Sequence, residues 1–378
     1  MSVCLPLWRD ENRDIFQATV VRAAQDLDIP ALAVEKDYWV CEALRAIEAA
    51  HPRVTVFKGG TSLQKMGIIA RFSEDLDLVV TGPIGGGKAG PRYLKDLCEA
   101  AREATGGALF GGQHSGKPAA EHRPASASSP GFEGREGTLG YRVNLSIPVV
   151  AKPAPGLAVA DPSSILLELG QSTGHDPNEE REVMSLLARQ LGPVVDIRSF
   201  ADLAPFRVRM LDPGRTLLEK LLRVNTFACM PPADRKEHLW TRIGRQYYDI
   251  WALLDQQDVR AFFARPDLGA VIADCFTQSV RFGGDMPIPI GGFAMSPAFD
   301  PNADVTVRLR NEHAKAMRVL YYGPDEGPTF DDVLNKVSSH RAFLDFASHE
   351  DGRLLTTSSR DGIRPGTLRQ RGSAYRSK

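Results

Sequence analysis

The sequence predicts an α+β fold, in which a mixed β-sheet with flanking helices is followed by a mostly helical C-terminal domain. Three observations favour this class. Residues 54–80 read as a strand, a glycine turn, a short helix and a second strand. Apolar stretches at 141–148, 164–170 and 206–212 predict further strands. Beyond residue 213, apolar residues recur mainly at helical spacing.

The length of 378 residues favours two globular parts. We expect a catalytic domain at 1–200, a mainly helical domain at 201–348, and a disordered basic tail at 349–378, where arginine, serine and glycine dominate. Within the first domain, residues 105–137 are rich in Gly, Ser, Ala and Pro, which predicts a mobile surface loop.

Composition excludes several classes of protein. The formal net charge of −1 provides no global basic field, so any contact with RNA must come from a local patch. The five cysteines are scattered and never form a C-x-x-C pair, which favours reduced thiols over disulfides or a zinc site. We find no apolar run of signal-peptide or membrane-span length, and therefore expect a cytoplasmic protein without a membrane partner.

Residues 11–50 predict two helices separated at Ile29-Pro30, because proline disfavours helical geometry in the residue before it. In the second helix, we expect Lys36 and Asp37 to be an exposed, helix-stabilising pair. A role for them in orienting the active-site strand is the less favoured interpretation.

The stretch at 54–80 carries the chemistry. The first strand ends at Lys58-Gly59-Gly60, so main-chain amides become available just beyond it. Asp75 and Asp77 are two residues apart on the second strand and therefore project from the same face. Two carboxylates beside a glycine turn suit Mg²⁺ together with a triphosphate. Asp-x-Asp alone is a weak signal, and its ordinary explanation is a strand end that faces solvent.

Three segments make the signal more specific: Glu35-Lys36-Asp37-Tyr38-Trp39, residues 57–63 (FKGGTSL) and residues 71–78 (RFSEDLDL). They resemble the AbiEii/AbiGii (MenT-like) nucleotidyltransferase toxins, within the polymerase-β-type superfamily. The resemblance implies a nucleotidyltransferase-fold sheet and an NTP-dependent enzyme that uses one or two Mg²⁺ ions, with Mn²⁺ as a substitute. It also implies an RNA acceptor, notably the 3′ end of tRNA, and a cognate antitoxin encoded nearby.

The resemblance further implies roles for individual residues. The metal ligands would be Asp75, Asp77 and a third carboxylate, Glu168, for which the alternative is a strand-end glutamate that faces water. The catalytic set would be Asp75, Asp77, Lys220 and Asp249. The nucleotide would be bound by the residues around the glycine turn and one helical lysine: Lys58, Gly59, Gly60, Thr61, Ser62, Ser73 and Lys220. Lys58 could equally be the last solvated residue of its strand.

Two predicted helices in the second domain carry the remaining site residues. In residues 214–225, leucines bury one side, and Lys220 and Arg223 share the other. The resemblance assigns Lys220 to the phosphates. In residues 242–254, Asp249 would fix Lys220 or the base by hydrogen bonding. The competing explanation is a plain surface ion pair between Asp249 and Arg245.

Two other functions remain open from the sequence. One is a non-catalytic nucleotide- or RNA-binding scaffold with the same fold, although such degenerate versions normally lose the aspartate pair. The other is a P-loop phosphotransferase that uses Gly82 to Lys88. That motif lacks the Ser/Thr that would bind magnesium, because Ala89 stands there, and Pro91 falls where helix amides should face phosphate.

Overall fold

The computed structural model describes residues 5–81, 89–111, 132–135, 138–152, 161–170, 174–281, 289 and 291–345. These residues contain eight strands: β1 (Thr55–Lys58), β2 (Leu76–Val80), β3 (Leu109–Gly111), β4 (Phe132–Arg135), β5 (Thr138–Ser146), β6 (Ser164–Gly170), β7 (Asn178–Val183) and β8 (Phe206–Leu211).

All eight strands belong to one sheet. Its order is β3-β5-β6-β2-β1-β8-β7, and β4 pairs with β5 outside this path. The β2–β6 and β1–β8 pairs are parallel, whereas the other pairs are antiparallel. The sheet is therefore mixed, which confirms the predicted fold class. Strand β2, which contains Asp77 and directly follows Asp75, lies in the middle of the sheet.

Helices flank the sheet and make up most of the later chain. They are α1 (Trp8–Glu11), α2 (Arg13–Leu27), α3 (Ala31–Ala50), α4 (Gly59–Lys65), α5 (Ala89–Thr105), α6 (Leu186–Leu191), α7 (Pro213–Cys229), α8 (Glu237–Leu254), α9 (Gln257–Phe263), α10 (Leu268–Arg281), α11 (Thr306–Leu320), α12 (Phe330–Ser339) and α13 (Arg341–Leu344). Short 3₁₀ turns connect several of them.

The described residues form two large hydrophobic cores and a small third cluster of Val56, Val79 and Leu211. The first contains the sheet and the helices packed on it, with buried residues such as Val34, Leu78 and Leu167. The second contains the later helices, and it also takes in Leu63 and Ile69 from the segment around α4. The chain segment between β1 and β2 therefore contributes to both cores.

The sheet continues past residue 200, where the sequence predicts the end of the first domain. Strand β8 pairs with β1 through Phe57 and Met210, so the sheet extends to residue 211. Helix α7 starts directly afterwards. The Asp212 carboxylate accepts a hydrogen bond from the main-chain nitrogen of Gly214 (2.7 Å), and Pro213 fills the first helical turn. The helix that carries Lys220 thus starts directly at the end of β8, and the Asp212 cap fixes its first turn.

Several predicted segments are altered or lie outside the described residues. Strands β3 and β4 fall within the expected loop at 105–137 and both pair with β5, so residues 109–111 and 132–135 of that segment belong to the sheet. The glycine run at 82–88 and the tail at 349–378 lie outside the described residues, as does most of the loop. Strand β7 and helix α6 have no counterpart in the sequence predictions.

The cysteines and the lengths of the helices bear on two expectations from the sequence. Four cysteines fall in the described residues, and all four are free, three of them buried. In the same part of the chain, no helix combines the length and the apolarity that crossing a membrane would require.

Candidate functional site

A row of charged side chains crosses four adjacent strands. In the strand register, Lys58 of β1 lies opposite Asp77 of β2, Asp77 beside Glu168 of β6, and Glu168 opposite Arg142 of β5. Residues that are lateral neighbours project from the same face of a sheet. Lys58 Nζ is 3.6 Å from Asp77 Oδ2, and Arg142 Nη2 is 2.5 Å from Glu168 Oε1. Two neighbouring carboxylates are therefore enclosed between two cations.

Asp75 adds a third carboxylate to this face. It stands one residue before β2, and its nearest cation is Arg245, whose Nη2 is 3.8 Å from Asp75 Oδ2. Burial raises the pKa of Asp75, and the negative charge of Glu168 raises it further. Burial also raises the pKa of Asp77 to about 6, against the opposing effect of Lys58. The carboxylates repel one another, and a bound cation would relieve that repulsion.

The glycine turn lies directly against these side chains. Gly59 has a φ of +81°, and a Cβ there would be 3.3 Å from Asp77 Oδ2. A Cβ on Gly60 would approach Arg71 Nη2 to 2.7 Å and Ser73 Oγ to 2.8 Å. Glycine is therefore required for close packing of the turn on the aspartate segment, in addition to its backbone conformation.

The three predicted hydroxyl groups are buried and hold this segment together. Thr61 Oγ1 lies 3.0 Å from Ser73 Oγ and donates to the main-chain oxygen of Asp75 at 2.6 Å. Ser62 Oγ donates to the main-chain oxygen of Gly59 at 2.9 Å. In this arrangement, the hydroxyls position Asp75 and the glycine turn, and their predicted contact with phosphate would require these bonds to rearrange.

Lys58 is a mostly covered, ion-paired member of the site, so its interpretation as a solvated strand end is wrong. Its side chain is 11% exposed, and its Nζ lies 3.5 Å from Glu219 Oε2 as well as near Asp77. Burial lowers the pKa of Lys58, but Asp77 and Glu219 outweigh this and raise it above the ordinary value. Glu219 of α7 was not predicted, although it immediately precedes Lys220.

A second cluster forms around Asp249 of α8. Arg71 binds it with two hydrogen bonds, Nε to Oδ1 at 2.6 Å and Nη2 to Oδ2 at 2.7 Å. Lys220 Nζ donates to Asp249 Oδ2 at 2.7 Å and to Gln246 Oε1 at 2.8 Å. Burial raises the pKa of Asp249, but Arg71 and Lys220 overcome this and hold it at about 2. A surface pair between Arg245 and Asp249 is therefore ruled out.

The environment of Lys220 differs from the face that it was expected to share with Arg223. Lys220 is 8% exposed, whereas Arg223 lies on the surface. Burial lowers the pKa of Lys220, and Arg71 lowers it further, while Asp249 opposes both. Asp249 thus holds the Lys220 ammonium in a fixed position. Asp249 also binds Arg71, and Arg71 in turn lies against Gly60 of the glycine turn.

The expectation that Lys36 and Asp37 form an exposed pair is wrong. Lys36 is fully buried, makes an ion pair with Glu74 and donates to the main-chain oxygen of Asp161 at 2.6 Å. Asp37 makes an ion pair with Lys65 and accepts from the main-chain nitrogen of Leu186 at 2.6 Å. The less favoured interpretation fits better, because Lys36 holds the residue that precedes Asp75.

The structure thus brings together Lys58, Asp75, Asp77 and Glu168 on the sheet, and Lys220 with Asp249 on the helices. Sequence reasoning missed Arg71 and Arg142, the partners of Asp249 and Glu168. Arg71 stands inside segment 71–78, which carries the family resemblance, so the sequence offered a reason to include it. Nothing in the pattern around Arg142 identifies its partner, because that contact depends on strand register.

A mixed sheet with paired aspartates on a central strand, beside a tight glycine turn, is the arrangement of a nucleotidyl transferase. Comparison with protein families indicates the same class of enzyme. The family described as "Nucleotidyl transferase AbiEii toxin, Type IV TA system" matches residues 42–336, more than half of the chain. The protein therefore belongs to the AbiEii nucleotidyl transferase family, toxins of type IV toxin–antitoxin systems. A search of curated proteins found no match.

Family membership has direct consequences. The protein is an enzyme of the nucleotidyl transferase class, which implies an NTP substrate, and a toxin–antitoxin system implies an antitoxin partner.

Proposed function

We propose that the protein transfers a nucleotide from an NTP to the 3′ end of tRNA, with Mg²⁺ held by Asp75 and Asp77. The observation that carries this proposal is the face formed by Asp75, Asp77 and Glu168 beside Gly59. The tRNA acceptor rests on the resemblance of the sequence motifs to the MenT-like toxins.

The residues fit a magnesium ion through two carboxylates. Within the described residues, no group of three or more His, Cys, Asp or Glu side chains is arranged to hold a metal. Glu168 is engaged with Arg142, so it would join only if that ion pair opened. Magnesium needs only one or two carboxylates when substrate phosphates supply further oxygens. The raised pKa values of Asp75 and Asp77 indicate a place where a cation would be stabilising.

When bound, Mg²⁺ would lower the pKa of the attacking ribose hydroxyl and neutralise phosphate charge. The cations of the site would bind the rest of the triphosphate. Lys58 borders Asp77, and Lys220 is held by Asp249 at a fixed position. Fixed charges in a partly buried site stabilise developing negative charge more strongly than mobile ones in water. The absence of a Cβ at Gly59 and Gly60 lets the main chain of the turn pack against Asp77, Arg71 and Ser73, beside the place where the phosphates would bind.

The test is incorporation of label into RNA. Purified protein is incubated with total tRNA, Mg²⁺ and each labelled NTP in turn, alongside Asp75→Asn. We expect label in tRNA from the wild type and a loss of about 100-fold or more in Asp75→Asn, because a charged group at the reacting centre is removed. Asp96→Asn, which neutralises an exposed aspartate of α5, is the matched control. Full transfer by Asp75→Asn would refute the site assignment.

The same experiment separates the alternatives. If the label appears in protein or in a small molecule, the protein is still a nucleotidyl transferase, but its acceptor is not tRNA. Tight NTP binding without transfer to any acceptor would favour the scaffold. A P-loop phosphotransferase would lose activity in Lys88→Ala, whereas the proposed enzyme should retain it.

A further inference from the structure

A pocket opens beside Asp75, between helices α8 and α11. It has a volume of about 120 Å³. Its walls combine apolar and polar side chains, among them Phe72, Arg242, Arg245, Glu312 and Val319. Pockets that enclose a whole drug-sized ligand measure roughly 300–1,000 Å³. This one therefore suits a single small group that belongs to a larger ligand.

Two buried polar atoms at this pocket have no hydrogen-bond partner among the described residues: Arg245 Nε and Glu312 Oε2. The first is a donor and the second an acceptor. A buried polar atom without a partner destabilises the protein, because it has lost its hydrogen bond to water. Both atoms are covered in the structure, so a ligand that accepts from Arg245 and donates to Glu312 would reach them only after a shift of these two side chains, and would then recover that cost.

Close helix packing fixes the spacing of this pair. A Cβ on Gly244 of α8 would lie 2.7 Å from the main-chain carbonyl of Glu312 on α11, so only glycine permits this approach. His313, the next residue on α11, contacts the main-chain oxygens of Gly244 (3.3 Å) and Pro328 (2.8 Å) through its two ring nitrogens. Arg245 follows Gly244 on α8, and Glu312 is the residue of α11 whose main chain Gly244 approaches. Their separation is therefore set by backbone packing.

The pocket is also tied to the reaction centre. Arg245 extends from its wall to within 3.8 Å of the Asp75 carboxylate. On the other side, the main-chain nitrogen of Phe72 donates to the main-chain oxygen of Leu320 at 2.8 Å, which joins the end of α11 to the segment before Asp75. A group in the pocket would thus lie next to the nucleotide that reacts at Asp75.

We propose that this pocket binds a nucleobase, with Arg245 Nε donating to the base edge and Glu312 accepting from it. The inference deepens the proposed function and rests on it. The lining holds the cations Arg242, Arg245 and Lys315 beside the carboxylates Glu74 and Glu312, so a group with both donors and acceptors fits it better than a phosphate, which only accepts. Base edges present donors and acceptors side by side, which matches the two orphan atoms. The base belongs either to the incoming NTP or to the terminal nucleotide of the acceptor.

The test uses Glu312→Gln, which keeps the side-chain shape but removes the charged acceptor. The affinities of the four NTPs and of inorganic triphosphate are measured by calorimetry on wild type and variant, with Glu326→Gln, at an exposed glutamate, as control. If the base of the NTP occupies the pocket, the preferred NTP should lose about 10- to 100-fold in affinity. Inorganic triphosphate, which has no base, should bind both proteins alike. A second variant, Val319→Phe, fills the pocket and should weaken the same NTP.

The acceptor is tested by transfer kinetics, with one NTP and short RNAs that differ only in the terminal base. An altered terminal-base preference in both variants, with NTP affinities retained, would support the proposal with the base supplied by the acceptor. Unchanged preferences for both NTP and terminal base in both variants would overturn it. A wild type that binds NTPs selectively but transfers nothing would refute the proposed reaction without touching this inference.

Discussion

Replacement of Asp77 by asparagine should abolish transfer and at the same time stabilise the metal-free protein. The ordinary pKa of 3.8 is raised to about 6 at Asp77 by burial and by the nearby carboxylates Glu168, Glu219 and Asp75. The folded protein therefore binds the Asp77 proton more tightly than the unfolded chain does. Its ionised form disfavours folding, and asparagine has nearly the same shape without the charge.

The magnitude follows from the pKa difference. Each pKa unit corresponds to about 1.4 kcal/mol, so the ionised carboxylate costs at most ~3 kcal/mol of unfolding free energy. The Asp77 side chain is 30% exposed, and solvent screening reduces the gain expected on substitution to ~1–2 kcal/mol. The sign depends on pH. Stability is fully present below pH 4, where Asp77 is protonated in both states, and is lost as the pH rises through about 6.

The assay is urea denaturation in EDTA at pH 7.5 and at pH 4, for the wild type, Asp77→Asn and the exposed control Asp96→Asn. Asp77→Asn should exceed the wild type at pH 7.5, and the difference should vanish near pH 4. Added Mg²⁺ should stabilise the wild type and leave Asp77→Asn unaffected. If Asp77→Asn is less stable than the wild type at pH 7.5 without metal, the reasoning about carboxylate repulsion is wrong.

Three further outcomes are expected. Lys36→Met should lower the unfolding free energy by about 3–5 kcal/mol, because it breaks the ion pair between buried Lys36 and Glu74. Urea titration measures this, and adding Glu74→Gln should restore part of it. Gly244→Ala should cost about 1–3 kcal/mol by forcing α11 away from α8 at Glu312, and an unchanged melting temperature would contradict the close packing. The kcat/KM for transfer should fall below pH 6 as Asp77 takes up a proton, and a profile flat to pH 5 would exclude Asp77 as an essential ionised group.

The sequence predicted the elements whose signals are local. The β1–α4–β2 unit, β6, β8 and α7 each have a clear apolar period or a glycine or proline at a boundary. Strands β3, β4 and β7 were missed. Strand β7 reads NEEREV, which is mostly polar because it is an edge strand that pairs only with β8. Its position is determined by that pairing, and its own apolar pattern is weak.

Burial of charge was the harder property to predict. Lys36 and Asp37 look like a solvated pair because a helix presents charges to water unless other elements cover them. Their partners, Glu74 and Lys65, stand 38 and 28 residues away along the chain. The Arg71–Asp249 contact spans 178 residues. Such pairs depend on tertiary packing, so the helical or strand periodicity of the sequence cannot predict them.

The backbone contacts between the segment before Asp75 and the end of α11 have a consequence for synthesis of the toxin. Ala70 and Phe72 exchange hydrogen bonds with Tyr322 and Leu320, about 250 residues later in the chain. A ribosome must therefore release nearly the whole described protein before this segment can be completed. An emerging chain would carry both aspartates long before these contacts can form, so a competent toxin arises only after residue 322 has left the ribosome.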